Sequence, residues 1–320
     1  MRGGRASRLW LLLPLGLAAC GAATDLCRQD EDCAPELCVN GVCRPAVGGT
    51  SLEPDLATGE AVDLAGPAAD LKGSSVADSG GGTDAIAPAC SFNGDGTISR
   101  AEAPFTVGLG GLFAVNPPGT KVSVTTAATA GGWDYSAPRA GDEKFFSELQ
   151  APTGAWWSAD FPDATYAEYY DSSADTLGVY RATDSALKLL GLVSAQSGFG
   201  NTELTYATPI PVLDFPLTVG KTWSATSTVS GTAQGFFFAA EETWTFKVES
   251  RHPTRVPAGT FDTLRLRIDY QQTYGLLVTT RILYLHLAEC YGAVARLRSL
   301  DNEQAGDFTQ ASEYRRLSTP

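Results

Sequence analysis

Thr263-Leu264-Arg265-Leu266-Arg267-Ile268-Asp269-Tyr270 decides the fold. Leu264, Leu266, Ile268 and Tyr270 fall on one face of an extended chain, and Thr263, Arg265, Arg267 and Asp269 fall on the other. Successive side chains of a strand point to opposite faces, so strict alternation reads as a half-buried β-strand. Two other stretches repeat the pattern. Glu242 to Val248 sets Trp244, Phe246 and Val248 against Thr243, Thr245 and Lys247. Thr280 to His286 sets Leu283 and Leu285 against Ile282, Tyr284 and His286. Gly and Pro breaks between such runs predict antiparallel pairing. The expected fold is mainly β: a twisted antiparallel sheet, partly closed and half-barrel-like, over residues 104–320. Helix signals are few. Gly141 to Gln150, with Asp142 and Glu143 near its start, is one candidate, and Ser185 to Gly191 is a candidate single turn.

Three further runs lie in this region: Phe215-Pro-Leu-Thr-Val-Gly-Lys-Thr-Trp223, Val256-Pro-Ala-Gly-Thr-Phe261-Asp-Thr-Leu264 and Cys290-Tyr-Gly-Ala-Val294. Together they resemble a pattern in uncharacterised bacterial secreted lipoproteins, over about residues 150–317. The resemblance implies a β-rich domain and brings no known activity. In physical terms Pro257 and Gly259 suit a tight chain reversal, after which Phe261 enters the core.

The N-terminus carries an address. Arg2, Arg5 and Arg8 precede an apolar run from Leu9 to Leu17, which is followed by Ala18, Ala19 and Cys20. A membrane-spanning helix needs about 20 apolar residues, whereas a signal-peptide core needs about 7–15. Leu17-Ala18-Ala19-Cys20 resembles the lipobox of bacterial lipoproteins. The resemblance implies cleavage before Cys20 and a thioether-linked diacylglycerol on its sulfur, often with an acylated amino terminus. Two or more chains hold a protein stably on a bilayer. Gly21 in place of Asp favours the outer membrane. The chain is therefore read as a signal peptide (1–19), a lipid anchor with a Cys-rich knot (20–43), a flexible linker (44–89), a calcium-type loop (90–103) and a β-domain (104–320).

With Cys20 lipidated, six of the seven cysteines remain, an even number that reads as three disulfides in an exported protein. Cys27, Cys33, Cys38 and Cys43 recur at intervals of six, five and five, around an Asn40-Gly41 turn signal. This segment resembles the short Cys-rich modules near the anchors of myxobacterial surface proteins. Zinc sites favour closer spacing, and no His lies nearby. The pairing inside the knot stays open, since six cysteines allow 15 pairings. Cys90 and Cys290 are left to each other by elimination. Residues 44–89 contain no aromatic residue and recur to Asp-Leu. Such a stretch buries too little apolar area to offset chain entropy, and spans roughly 40 Å as a flexible tether.

The chain is acidic, with 23 Lys and Arg against 36 Asp and Glu. Cleavage before Cys20 removes three arginines and no acid, which leaves 20 against 36, a formal charge of −16. That charge repels nucleic acid and anionic head groups.

Ser91-Phe-Asn93-Gly-Asp95-Gly96-Thr97-Ile98-Ser99-Arg-Ala-Glu102 resembles an EF-hand calcium loop. The resemblance assigns Asn93 and Asp95 as side-chain ligands, Thr97 as a carbonyl ligand, Ser99 as a direct or water-mediated contact and Glu102 as a bidentate carboxylate. Ser91 stands where Asp is usual and removes a charge, so Ca2+ is expected to bind weakly, at about 0.1–1 mM, in a structural role.

Enzymatic signals are poor. The two histidines, His252 and His286, lie in a turn and a strand, and no Gly-x-Ser-x-Gly elbow or phosphate loop is present. Glu241-Glu242 and Asp301 with Glu303 leave a carboxylate hydrolase as one alternative. Trp156-Trp157 and Phe236-Phe237-Phe238 read as sheet core or rim, or as a sugar or lipid platform. The leading expectation is a non-catalytic, membrane-anchored envelope lipoprotein that binds an apolar ligand or an envelope partner. A structural or adhesion protein without a small ligand is the other alternative.

Overall fold

The computed structural model describes residues 37–39, 42–44, 90 and 92–319. They belong to two units, Met1–Pro45 and Ala46–Pro320. In the first, β1 (Leu37–Val39) and β2 (Val42–Arg44) pair antiparallel, with Cys38 opposite Cys43 across the ladder. The expectations for the signal peptide, Cys20, Cys27, Cys33, the linker from residue 45 to 89 and Ser91 lie outside the described residues.

Among the described residues of the second unit, the regular structure is all strand apart from one 3-10 turn at Arg100–Glu102. Its strands are β3 (Gly110–Val115), β4 (Val122–Ser123), β5 (Trp133–Asp134), β6 (Glu143–Glu148), β7 (Tyr166–Tyr169), β8 (Thr176–Ala182) and β9 (Ala186–Ser194). They continue as β10 (Glu203–Asp214), β11 (Thr222–Ala233), β12 (Phe236–Val256), β13 (Gly259–Tyr274), β14 (Leu277–Ala288), β15 (Gly292–Ser299) and β16 (Gln310–Leu317). One antiparallel path runs β6-β3-β16-β15-β14-β13-β12-β11-β10-β9-β8-β7. Short β4 adds to β16, and β5 lies parallel to β12. From β7 to β16 each strand pairs with its sequence neighbour, so this arm is a meander of hairpins.

The two ends of the path meet. Gln150 and Ala167 exchange a pair of backbone hydrogen bonds, of 2.7 and 3.0 Å, and Ser147 Oγ donates to Glu168 Oε1 at 2.8 Å. The sheet thus closes further than a half-barrel, into a nearly complete barrel of twelve strands whose β6–β7 seam is held by a single bridge.

The alternating stretches sit as their pattern dictates. Trp244, Phe246, Val248, Leu264, Leu266, Ile268, Leu283 and Leu287 form the interior core. Ile282 and Tyr284 point outward and are nevertheless buried, because a segment between β3 and β6 packs Trp133 and Tyr135 over them. A second outer layer, with Trp157 and Phe161, covers Leu177, Val179, Leu190 and Val193. Val256 pairs with Gly259 around the Pro257-Ala258 reversal, and Phe261 is partly buried against the outer layer rather than in the barrel core. Among the described residues, no helix is long and apolar enough to cross a membrane.

Two helical expectations are overturned. Gly141 to Gln150 contains β6, which pairs Phe145 with Phe113 and turns Phe145 and Ser147 inward; this pairing overrides the acidic start. Ser185 to Gly191 runs into β9. There Leu187 and Leu189 face the interior while Leu190 lies under the outer layer. A strand buried on both faces reads as a continuous apolar run, which periodicity does not separate from a helical turn.

Cys90 and Cys290 form a disulfide across 200 residues of sequence. It fixes the start of the domain to the β14–β15 turn. Substituting Cys290→Ser is expected to lower unfolding free energy by about 2–5 kcal/mol while the β circular-dichroism signature persists. Denaturant midpoints of parent and variant under non-reducing conditions check this; equal midpoints would mean the bond contributes nothing.

Candidate functional site

Side chains do not fill the barrel. A cavity of about 370 Å³ remains among Phe105, Tyr166, Leu189, Leu217, Ile268 and Leu285, on the side of the interior nearest the Cys290 turn. Its size falls at the lower end of the 300–1,000 Å³ typical of small-ligand sites. The wall is apolar and aromatic apart from Glu102 of the calcium-type loop and a group of four polar residues: Ser147, Glu168, Arg296 and Arg315.

These polar groups belong to an ionic network inside the barrel. Glu313 is fully buried, and three guanidiniums surround its carboxylate. Arg315 Nη2 lies 3.1 Å from Oε1, and Arg296 Nε and Arg298 Nε lie 3.3 and 3.9 Å from Oε2. Arg296 also donates to the Tyr170 carbonyl at 2.7 Å, and Arg298 reaches Asp171 at 3.4 Å. The remaining acid, Glu168, stands 4.0 Å from Arg315 and accepts from Ser147. Arg315 Nε, Arg296 Nε and Glu313 Oε2 are buried without a hydrogen-bond partner. Burial pulls the Arg315 guanidinium below its ordinary range, with Glu313 opposing. For Arg296 burial is again the largest influence and acts downward, but Glu313, Tyr170, Tyr180 and Asp171 together outweigh it and the net shift is upward. Burial would raise Asp171; hydrogen bonds from Ser173 and the Arg298 charge hold it low instead. Burial thus acts against the Arg315 charge more strongly than its acidic neighbours offset.

A second buried carboxylate is neutral in its contacts. Glu242 receives Tyr206 Oη at 2.7 Å, Trp244 Nε1 at 3.2 Å, Tyr270 Oη at 2.8 Å and Gln272 Nε2 at 2.9 Å. Burial, followed by neighbouring charges, pushes both phenols up, so both remain donors. Four side-chain donors from neighbouring strands meet on it, so it is a structural node. Its neighbour Glu241 is exposed, so the two form no acid pair. Asp301 is bound to Arg281 at 2.5 Å, while Glu303 caps the backbone of Gln304 and Ala305. The suggested carboxylate pairs do not converge.

The calcium-type loop stands at the cavity end of the barrel. Asn93 Oδ1 accepts from Asp95 N at 2.8 Å, and Asp95 Oδ1 from Thr97 N at 2.7 Å. Glu102 accepts from Asn93 Nδ2 at 2.6 Å and from Ser99 N at 2.7 Å. Asn93, Asp95, Ser99 and Glu102 are thus brought together, and Thr97 lies on the same turn. Glu289, which the sequence did not single out, caps Asn93 N and Gly94 N. Gly96 has φ +82°, and a Cβ there would collide with Arg251. Among the described residues, no group of three or more His, Cys, Asp and Glu side chains converges as a metal cluster.

Of the aromatic clusters, Trp157 is buried within the second outer layer, whereas Phe236 and Phe237 are exposed at a hairpin tip. The arginine network was missed in the sequence. Its signal was parity: Glu313 and Arg315 share the face of Leu317 in β16, which makes two charges inward residues.

Comparison with family models, with curated proteins and with solved structures finds no match for this chain.

His286 is fully buried on the outer face, edge-on to Trp133 at 4.5 Å, with Nδ1 3.1 Å from Thr254 Oγ1. Burial, and then the Arg265 charge, pushes its pKa down to about 3. It is a neutral core residue and not a proton shuttle. An unfolded His titrates near 6.5, so below that value the unfolded state binds the extra proton. The stabilisation is complete above pH ~6.5 and is lost as pH falls towards ~3, by at most about 1.4 kcal/mol per pH unit. Urea midpoints from pH 7 to 4 should fall less steeply in His286→Phe than in the parent; parallel slopes would refute this.

Proposed function

We propose that this protein is a membrane-anchored cell-envelope lipoprotein whose β-domain binds, without catalysis, an amphiphile with an apolar chain and an anionic head. One observation carries the reading: a 370 Å³ apolar cavity that ends on the under-partnered guanidinium of Arg315. Burying a charge is costly unless it is paired, so an anionic head entering the cavity supplies Arg315 with the acceptors it lacks. The apolar wall takes the chain, at about 25 cal/mol per Å² removed from water. The carboxylates found in the structure are dispersed or fully engaged, which favours binding over hydrolysis.

The lipobox ending in Cys20 supports lipid anchoring, with Gly21 favouring the outer membrane. Calcium in the Asn93–Glu102 loop would be weak and structural. Its support is the oxygen set on one turn; binding would have to displace the Asn93 amide from Glu102.

Three C12 probes test the ligand class: dodecanoate, dodecanol and dodecyltrimethylammonium. Dodecanoate is expected to bind about tenfold or more tightly than dodecanol, a difference of about 1.4 kcal/mol, and the cation least. Arg315→Met should erase the acid preference, and Glu168→Gln should strengthen it. Equal binding of all three would remove the anionic head from the reading; binding of none would remove the cavity as a ligand site. Calcium titration by calorimetry is expected to show weak heat that Asp95→Asn abolishes, and silence at several millimolar would dismiss the ion. Cys20→Ser should abolish fatty-acid labelling; labelling that continued would dismiss the anchor.

A further inference from the structure

The barrel end away from the cavity carries three uncharged tips side by side. They are the β9–β10 loop (195–202), the β11–β12 turn (234–235) and the β13–β14 turn (275–276). Their adjacency is direct. Gln234 N donates to Thr202 Oγ1 at 3.2 Å, Gly235 N donates to Asn201 O at 3.3 Å, and Phe238 stacks on Tyr274 with ring centroids 5.3 Å apart. From these tips Phe199, Phe236, Phe237, Leu276 and Leu277 project into solvent. Phe199 and Leu276 are as exposed as in an extended chain, at 110% and 101%.

Charge is missing throughout this rim. Residues 189–202, 222–240 and 270–280 contain no Asp, Glu, Lys or Arg, although 59 of the 320 residues are charged. Single exposed apolar residues are ordinary, whereas a contiguous exposed group marks an interaction surface. The ladders also run to the last residue of two tips, with Ala233 paired to Phe236 and Tyr274 to Leu277. Backbone groups there are satisfied within the hairpins, the condition for chain entering an apolar phase. Behind the tips the outward face of β11 is Thr222, Ser224, Thr226 and Thr228, too polar for a barrel wall in lipid. Only the tips suit hydrocarbon.

We infer that this rim inserts shallowly into a lipid bilayer and orients the barrel on it. The apolar side chains come from three different hairpin tips, and a fluid interface accepts such a surface without shape matching. Flanking loops supply acids: Asp175 after β7, and Glu303 and Asp307 after β15, where Asn302 N bonds the Thr280 carbonyl; Asp171 and Asp301 of the same loops are paired with Arg298 and Arg281. The surface partner is therefore a bilayer of zwitterionic head groups, since anionic ones would be repelled.

The test uses the full chain with Cys20→Ser, so that no acyl group contributes, and phosphatidylcholine vesicles. Phe237→Asp with Leu276→Asp, both at exposed tips, should lower the vesicle-bound fraction about tenfold or more against a parent with the same N-terminus. Phe237→Trp should show emission quenched by brominated phosphatidylcholine. Cavity binding of dodecanoate should be unchanged by the tip substitutions. Equal vesicle binding by parent and double variant, an unquenched Phe237→Trp, or a parent dimer that the double variant splits with no vesicle binding in either, would each overturn the inference.

Discussion

One carboxylate, that of Glu313, holds three guanidiniums inside the barrel, and the closure of the sheet depends on how they are shared. The β6–β7 seam has only the Gln150–Ala167 bridge where other strand pairs have continuous ladders. Arg296 and Arg298 on β15 reach across the interior to Tyr170 and Asp171 beyond β7, and Arg315 on β16 faces Glu168 within it. The network therefore ties the weakly paired end of the sheet to its strongly paired middle. Transferring ions from water costs several kcal/mol each, and only close pairing repays it. That balance leaves Arg315 short of partners, and the cavity lies against it. The same constraint that closes the barrel thus leaves a buried guanidinium nitrogen without a partner beside the cavity.

The outer layers solve a different problem. β14 is apolar on both faces and β15 on its outer face, so a bare barrel would expose Ile282, Tyr284, Val294 and Leu297. The segment carrying Trp133 and Tyr135 removes them from water. It brings His286 and Arg316 under the same cover, His286 neutral and Arg316 bound to the Tyr135 and Ala137 carbonyls and to Asp142. Thr254 and Thr263 bridge at 2.7 Å beside the imidazole. The imidazole and both hydroxyls are thereby paired within the layer, while Arg316 Nε stays buried without a partner.

Period-2 alternation made β12, β13 and β14 legible, because each turns one apolar row to the interior. It failed at β6 and β9 for two reasons. In β6 the strand is specified by pairing with β3, a long-range fact absent from a local window. In β9 both faces are apolar, so no alternation exists to read. The Cys90–Cys290 pair followed from elimination alone. The candidate cavity was not legible as a place, since its wall comes from strands far apart in sequence. Its polar residues were hidden because Arg296, Arg315 and Glu313 look like solvated charge until the face of Leu317 is known. The rim was half legible: Phe236-Phe237-Phe238 stood out, but the neighbouring Phe199 and Leu276 joined it only through the barrel.

The β16–β3 pairing has a consequence for the order of assembly. β7 to β15 pair neighbour to neighbour and can zip as the chain emerges, whereas β3 and β6 wait for β16. Arg315 pairs with Val115 and Leu317 with Phe113, across about 200 residues. Such non-local closure is slow. Until the last strand arrives, the meander has an open edge and an empty, charged concavity. A chain delivered N-terminus first across a membrane would pass through that state on every crossing. The span of time before β16 docks is when it is most exposed to proteases and to edge-to-edge pairing with other chains.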